Sequence, residues 1–67
     1  MKFGDFLPII KENMKAFDYI IITVISKKWG TNEIIFSRNQ DIDRKFKFFN
    51  NYLAQETIVR MSCEKIK

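Results

Sequence analysis

Two short stretches hold most of what could do chemistry in these 67 residues: KKWG, residues 27 to 30, and RKFKFF, residues 44 to 49. The first places the single Trp, Trp29, after Lys27 and Lys28 and before Gly30. An indole flanked by cations in a loop has the composition of a protein-binding hot spot; the other use of such a ring is to fold back onto the edge of a sheet. The second stretch interleaves Arg44, Lys45 and Lys47 with Phe46, Phe48 and Phe49. Cations and aromatic rings mixed in this way neutralise phosphates and stack on bases in nucleic-acid binders. The same spacing also suits the flank of an amphipathic helix, with Phe46 and Phe49 turned inward and Arg44 and Lys47 in water.

Neither stretch is catalytic. The chain has no His, so the commonest general base, proton shuttle and metal ligand is missing. Cys63 has no His to activate it, and it falls in the alternating row Val59, Met61, Cys63, where it reads as a small core residue. Gly4 and Gly30 lie 26 residues apart and form no phosphate-cradling loop. Asp41 and Asp43 are explained as helix caps rather than as an acid–base pair or metal site. The expectation is a protein that is not an enzyme and that takes no metal, cofactor or small-molecule substrate.

The totals bound the rest. A chain this short buries only about 60% of the surface its unfolded form exposes, which supports one domain, residues 1 to 67. Hydrophobic residues make up 46% and charged residues 30%, with two Gly and one Pro, a balance that favours compact folding over disorder. The net charge of +4 is unevenly placed: residues 1 to 33 carry five Lys against four acids, and residues 34 to 67 carry seven Lys and Arg against four acids. Any attraction to phosphates or acidic surfaces therefore leans on the C-terminal half. A lone cysteine permits no internal disulfide, which favours a reducing, cytoplasmic setting. MKFGDFLPII meets Lys11 and Glu12 too early for a signal peptide, and YIIITVI is seven residues where a membrane span needs about 20.

The elements that must position these side chains follow from periodicity. Phe6, Ile9 and Ile10 share one helical face, so residues 4 to 13 are expected to form a short helix, capped by Asp5, with Pro8 in its first turn and Asn13 as a left-handed stop. DYIIITVIS and EIIFSR predict strands over 18 to 26 and 33 to 38, joined as a hairpin in which Gly30 takes a positive φ. Ile42, Phe46, Phe49 and Leu53, spaced four, three and four, predict a helix capped by Asp41 or Asp43. Phe48 and Tyr52 lie off that stripe and are read as cover for a sheet edge. Thr57, Val59, Met61 and Cys63 then alternate with Ile58, Arg60, Ser62 and Glu64 as a third strand.

The class is α+β, in the order α-β-β-α-β. Placing the third strand beside the first gives a three-stranded antiparallel sheet of order 2-1-3, with the most apolar strand in the centre and both helices on one face. Ile20, Ile22 and Val24 then meet the helices, and Tyr19, Ile21, Thr23 and Ile25 form an open reverse face unless the first helix wraps round to cover it.

The layout MKFGDFLPIIKEN, hairpin with EIIFS, helix ending in YLAQE, then TIVRMSCEKI resembles the small proteins encoded by phages and mobile elements of low-GC Gram-positive bacteria. Some of those inhibit host defences, the anti-CRISPR proteins among them. The hairpin, helix and strand also look like the phage-encoded inhibitors of uracil-DNA glycosylase, although those are strongly acidic and this chain is basic. The resemblance implies a non-enzymatic inhibitor of a host defence protein such as a CRISPR effector, acting in the host cytoplasm. From the residues themselves, the expected partner is another protein or a second copy of the chain, bound through Tyr19, Ile21, Thr23, Ile25, Lys27, Lys28 and Trp29. The alternative is a small basic nucleic-acid-binding protein using Lys27, Lys28, Arg44, Lys45 and Lys47. A structural subunit of a virion or regulatory complex would present the same surface as the first of these.

Overall fold

Successive side chains of a strand point to opposite faces, so a strand that is apolar throughout has to bury one set and expose the other. In the computed structural model, which describes residues 1–66, β1 (Tyr19–Ser26) does this: Ile20, Ile22 and Val24 are sealed from solvent, while Ile25 on the other set is exposed. β1 lies in the centre of the sheet, antiparallel to β2 (Gly30–Ser37) and to β3 (Thr57–Glu64), in the order β2-β1-β3. Its inner set pairs with Phe36 and Ile34 of β2. Two helices, α1 (Leu7–Asn13) and α2 (Ile42–Leu53), join that inner face in one core with Phe6, Ile10, Met14, Phe46 and Leu53. The class is α+β and the order is α-β-β-α-β.

The entry to α1 differs from the sequence expectation. Phe3–Asp5 form a separate 3-10 turn, α1 begins at Leu7, and its cap position is Phe6 with no side-chain cap bond, so Asp5 does not cap it. Tertiary bonds set this boundary. The Phe3 N–H donates to the Glu56 carbonyl at 2.9 Å and the Gly4 N–H to the Ala54 carbonyl at 3.0 Å, which ties the turn to the end of α2. A Cβ on Gly4 would stand 3.0 Å from that same Ala54 oxygen, so the close approach selects Gly. The fully buried Phe3 ring then stacks on Phe46 at 4.8 Å. Asn13 ends α1 without a positive φ: its side-chain amide donates to the Ile9 carbonyl at 2.8 Å and the chain leaves through Met14 in right-handed geometry. Pro8 sits in the first turn of α1. Asp41, not Asp43, caps α2, accepting the Arg44 N–H at 3.1 Å.

The hairpin is tighter than the apolar runs suggest. β2 starts at Gly30 rather than at residue 33, leaving a loop of Lys27, Lys28 and Trp29 alone. The Ser26 hydroxyl oxygen accepts the N–H groups of Lys28 and Trp29 at 3.2 and 3.1 Å, and Gly30, at φ 76°, turns the chain back opposite Ser26. Thr31 and Asn32 are polar yet extended, because β2 is an edge strand that backs onto solvent.

β3 also departs from simple alternation. Cys63 and Met61 pair with Ile20 and Ile22 on the inner face, but the register slips between Thr23 and Val24, so that Ile58 pairs with Val24. Val59 is the extra residue of this β-bulge and is 52% exposed, whereas the strict period placed it in the core row. The start of β3 is held by the N-terminal residues: the Ile58 N–H donates to the Met1 carbonyl at 2.9 Å and Lys2 bridges to Thr57. Cys63 is half-buried, with its thiol 3.8 Å from Asn13 Oδ1.

Candidate binding surface

The side chains singled out from the sequence fall on two separate surfaces. On the reverse face of the sheet, Tyr19 lies between Ser37 and Glu64, Ile21 between Ile35 and Ser62, Thr23 between Glu33 and Arg60, and Ile25 between Thr31 and Thr57. The two helices pack on the other side, so this face is open. It is not a continuous apolar strip. Ile21, paired with Ile35, adjoins a polar row of Glu33, Thr23 and Arg60, and Ile21, that row and Ser62 line a furrow of about 160 Å³. Ile25 stands alone beyond that row. Tyr19 belongs to a second depression at the far end of the strand, with Asp18, Ser37, Arg38, Asn39 and Ile66.

Trp29 turns away from this face. Its ring meets Tyr52 of α2 edge to face, with centroids 5.6 Å apart, and the Lys28 ammonium lies 5.1 Å from its centre. Tyr52 in turn touches Phe48 at 6.3 Å and Phe49 at 6.1 Å. The loop thus leans on α2, on the helix side of the β2 edge. Phe48 and Tyr52 are four residues apart and off the buried stripe, so both face outward beside that edge. Trp29, Asn32, Phe48 and Tyr52 line a groove of about 380 Å³. Phe48 also borders a second groove of about 440 Å³, with Phe49, Gln40, Asp41, Arg44 and Lys45. The two run on from each other along the seam between α2 and β2.

For a monomeric surface the exposure is high: Phe48 is 62% exposed, Trp29 53% and Tyr52 38%. The aromatic contacts orient these rings without hiding them. Lys28, Arg44 and Lys45 flank them, and none of the three sits in an ion pair among the described residues. The Lys45 ammonium donates to the Ile35 carbonyl on the open edge of β2 and to Gln40 Oε1 at 3.3 Å, and lies 5.7 Å from the Phe36 ring. Lys47 is two positions from Lys45, about 200° round the helix, and borders neither groove. Lys27 is exposed on the loop, with its backbone N–H held by Glu56 at 3.2 Å.

The structure therefore sets Lys28 with Trp29 at one end of the seam and Arg44 with Lys45 at the other, with Phe48 bordering both grooves, and leaves Tyr19, Ile21, Thr23 and Ile25 on the opposite side of the sheet. Phe48 and Tyr52 complete the groove, where the sequence pattern predicts only cover for a sheet edge. Their signal was present: two aromatics at i and i+4 with no place in the core stripe. Asn32 gave no such signal. Among the described residues no three acidic or thiol side chains converge, and no helix is long and apolar enough to cross a membrane. No protein family, no curated protein and no solved structure matches the chain.

Proposed function

We propose that the chain is a non-enzymatic binding module that grips an acidic surface of another protein through the groove formed by Trp29, Phe48 and Tyr52. One observation carries this reading: three large rings, joined through Tyr52, are left exposed along a seam with three cations that have no acidic partner among the described residues. Aromatic side chains and Arg dominate the energetics of protein interfaces, the rings because they bring large rigid area at little entropic cost. The resemblance to phage-encoded antidefence proteins supports a host nuclease or regulator as the partner, with inhibition by occupancy of its working surface. The reverse face, with Ile21 and Ile35 set against a polar row, is a secondary contact in this reading.

A second reading has its own support in the Lys28 ammonium over the Trp29 ring, since rings flanked by cations also serve as stacking platforms for single-stranded nucleic acid. Magnitude argues against it. Each neutralised phosphate of a single strand contributes about 0.7 to the salt slope, so three cations give a slope of only about −2 and a weak complex at physiological salt.

Affinity capture with wild type and with a Trp29→Ala, Tyr52→Ala double variant tests the first reading: a specific protein retained by wild type and lost by the folded variant supports it. Equal retention by both would remove the groove from the interface. A mobility-shift titration of single-stranded oligonucleotides at two salt concentrations tests the second, and no shift at low salt discards it.

A further inference from the structure

The edge of β2 next to this groove is open backbone. In an antiparallel ladder, alternate residues of an edge strand turn both N–H and C=O away from the sheet. The Ile35 carbonyl bonds the Lys45 ammonium and the Ser37 N–H bonds Gln40 Oε1 at 3.1 Å, so residues of that parity face outward. Thr31 and Glu33 share the parity, and no side chain among the described residues bonds their outward groups. Lys45 and Gln40 thus close one end of the edge, while the end beside Trp29 is unguarded. The other edge of the sheet is treated differently: β3 carries a bulge, and its start is paired to Met1 and Lys2. Bulges and edge cover prevent strand pairing, and β2 has neither at Thr31 and Glu33.

We infer that β2 takes an additional strand at Thr31 and Glu33, and that its occupant is an extended acidic segment of the partner protein. This rests on the groove being the binding surface and deepens that reading. Alternate side chains of an added strand fall on opposite faces of the sheet. Those on the helix side enter the groove of Trp29, Asn32, Phe48 and Tyr52, whose exposed rings select apolar residues, while the Lys28 ammonium over the Trp29 ring and Arg44 in the adjoining groove, which shares Phe48, select acidic residues beside them. Those on the reverse side pass Thr31, Glu33 and the exposed Ile35, where Glu33 disfavours a further acid. A second copy of the chain is a poor occupant. Two-fold pairing of β2 with itself would set Glu33 near Glu33 and bring the same cations of both copies to one seam.

The test selects binders from displayed random twelve-residue peptides on the immobilised protein, then measures the best peptide by fluorescence anisotropy. The expected winners carry acidic and aromatic residues on one alternating set. Glu33→Pro removes an outward N–H but no ladder bond, and should weaken binding tenfold or more with little change in melting temperature. A copy of the peptide methylated on alternate backbone nitrogens should lose binding to wild type by a similar factor, a result independent of how the variant folds. If Glu33→Pro and the methylated peptide bind like their parents while Tyr52→Ala binds weakly, the groove stands and strand addition is overturned. Selected peptides without acidic residues would overturn the charge assignment. A concentration-dependent dimer in sedimentation, abolished by Glu33→Pro, would assign the edge to self-pairing and overturn the proposal.

Discussion

Gly30 and Trp29 are neighbours at the hairpin tip, and they answer to different constraints. At φ 76° a Cβ costs about 1–2 kcal/mol, and a Cβ on Gly30 would meet nothing within 4 Å, so the cost is conformational alone. Gly30→Ala is therefore expected to lower stability by about 1–2 kcal/mol in urea unfolding. Trp29 is half in water, and its edge-to-face contact with Tyr52 is worth about 0.5–1.5 kcal/mol. Trp29→Ala should cost that contact and the burial of the covered half of the ring, yet less than the ~3–5 kcal/mol of a fully buried ring, while removing partner capture. A larger loss of stability would mean that the indole is a core residue and not a contact residue.

Among the elements, α2 has two roles that its sequence keeps apart by angle. Ile42, Phe46, Phe49 and Leu53 join it to the core, and Phe48 and Tyr52, off that stripe, line the groove. Loss of the Asp41 cap in Asp41→Ala leaves the Arg44 N–H without its acceptor and should cost about 1 kcal/mol, read as a lower urea midpoint at unchanged slope. Phe48→Ala should cost little stability, because the ring is mostly exposed, and should weaken binding if the seam between α2 and β2 is the contact. The bulge at Val59 lets Ile58 take the place opposite Val24 that strict alternation would have assigned to Val59.

The whole molecule has one core, and its margin is small. Sixty-seven residues at about 0.05–0.15 kcal/mol each give a stability of about 3–10 kcal/mol. Phe3 is sealed from solvent and stacked on Phe46, and it joins the N-terminal turn, α2 and the start of β3. Truncating such a ring costs about 3–5 kcal/mol, comparable with the entire stability at the low end. Phe3→Ala is expected to unfold the chain or leave it marginal at room temperature, by far-ultraviolet circular dichroism. A variant that melts within a few degrees of wild type would show that the N-terminal turn is not integral to the core.

Patterns confined to one element were legible without coordinates. The period-two run of β1, the four-three-four stripe of α2, the positive φ of Gly30 and the strand order followed from local spacing, short connections and the need to bury the most apolar strand. The boundaries of α1, the start of β2 and the bulge in β3 were not, since bonds to distant partners set them: Ala54 and Glu56 for the N-terminal turn, Ser26 for the hairpin, Val24 for Ile58. The same division holds for the surface. Residue types alone singled out Trp29 and Lys28 as candidates, and offered Arg44 and Lys45 as an alternative to a solvated helix flank, because exposed rings and cations are costly or idle without a partner. That Trp29 leans toward Tyr52 and away from Ile21 depended on packing across the edge of the sheet, where side chains 23 residues apart meet. Only the assembled tertiary structure could settle that direction, because spacing along the chain carries no information about which way a loop side chain falls.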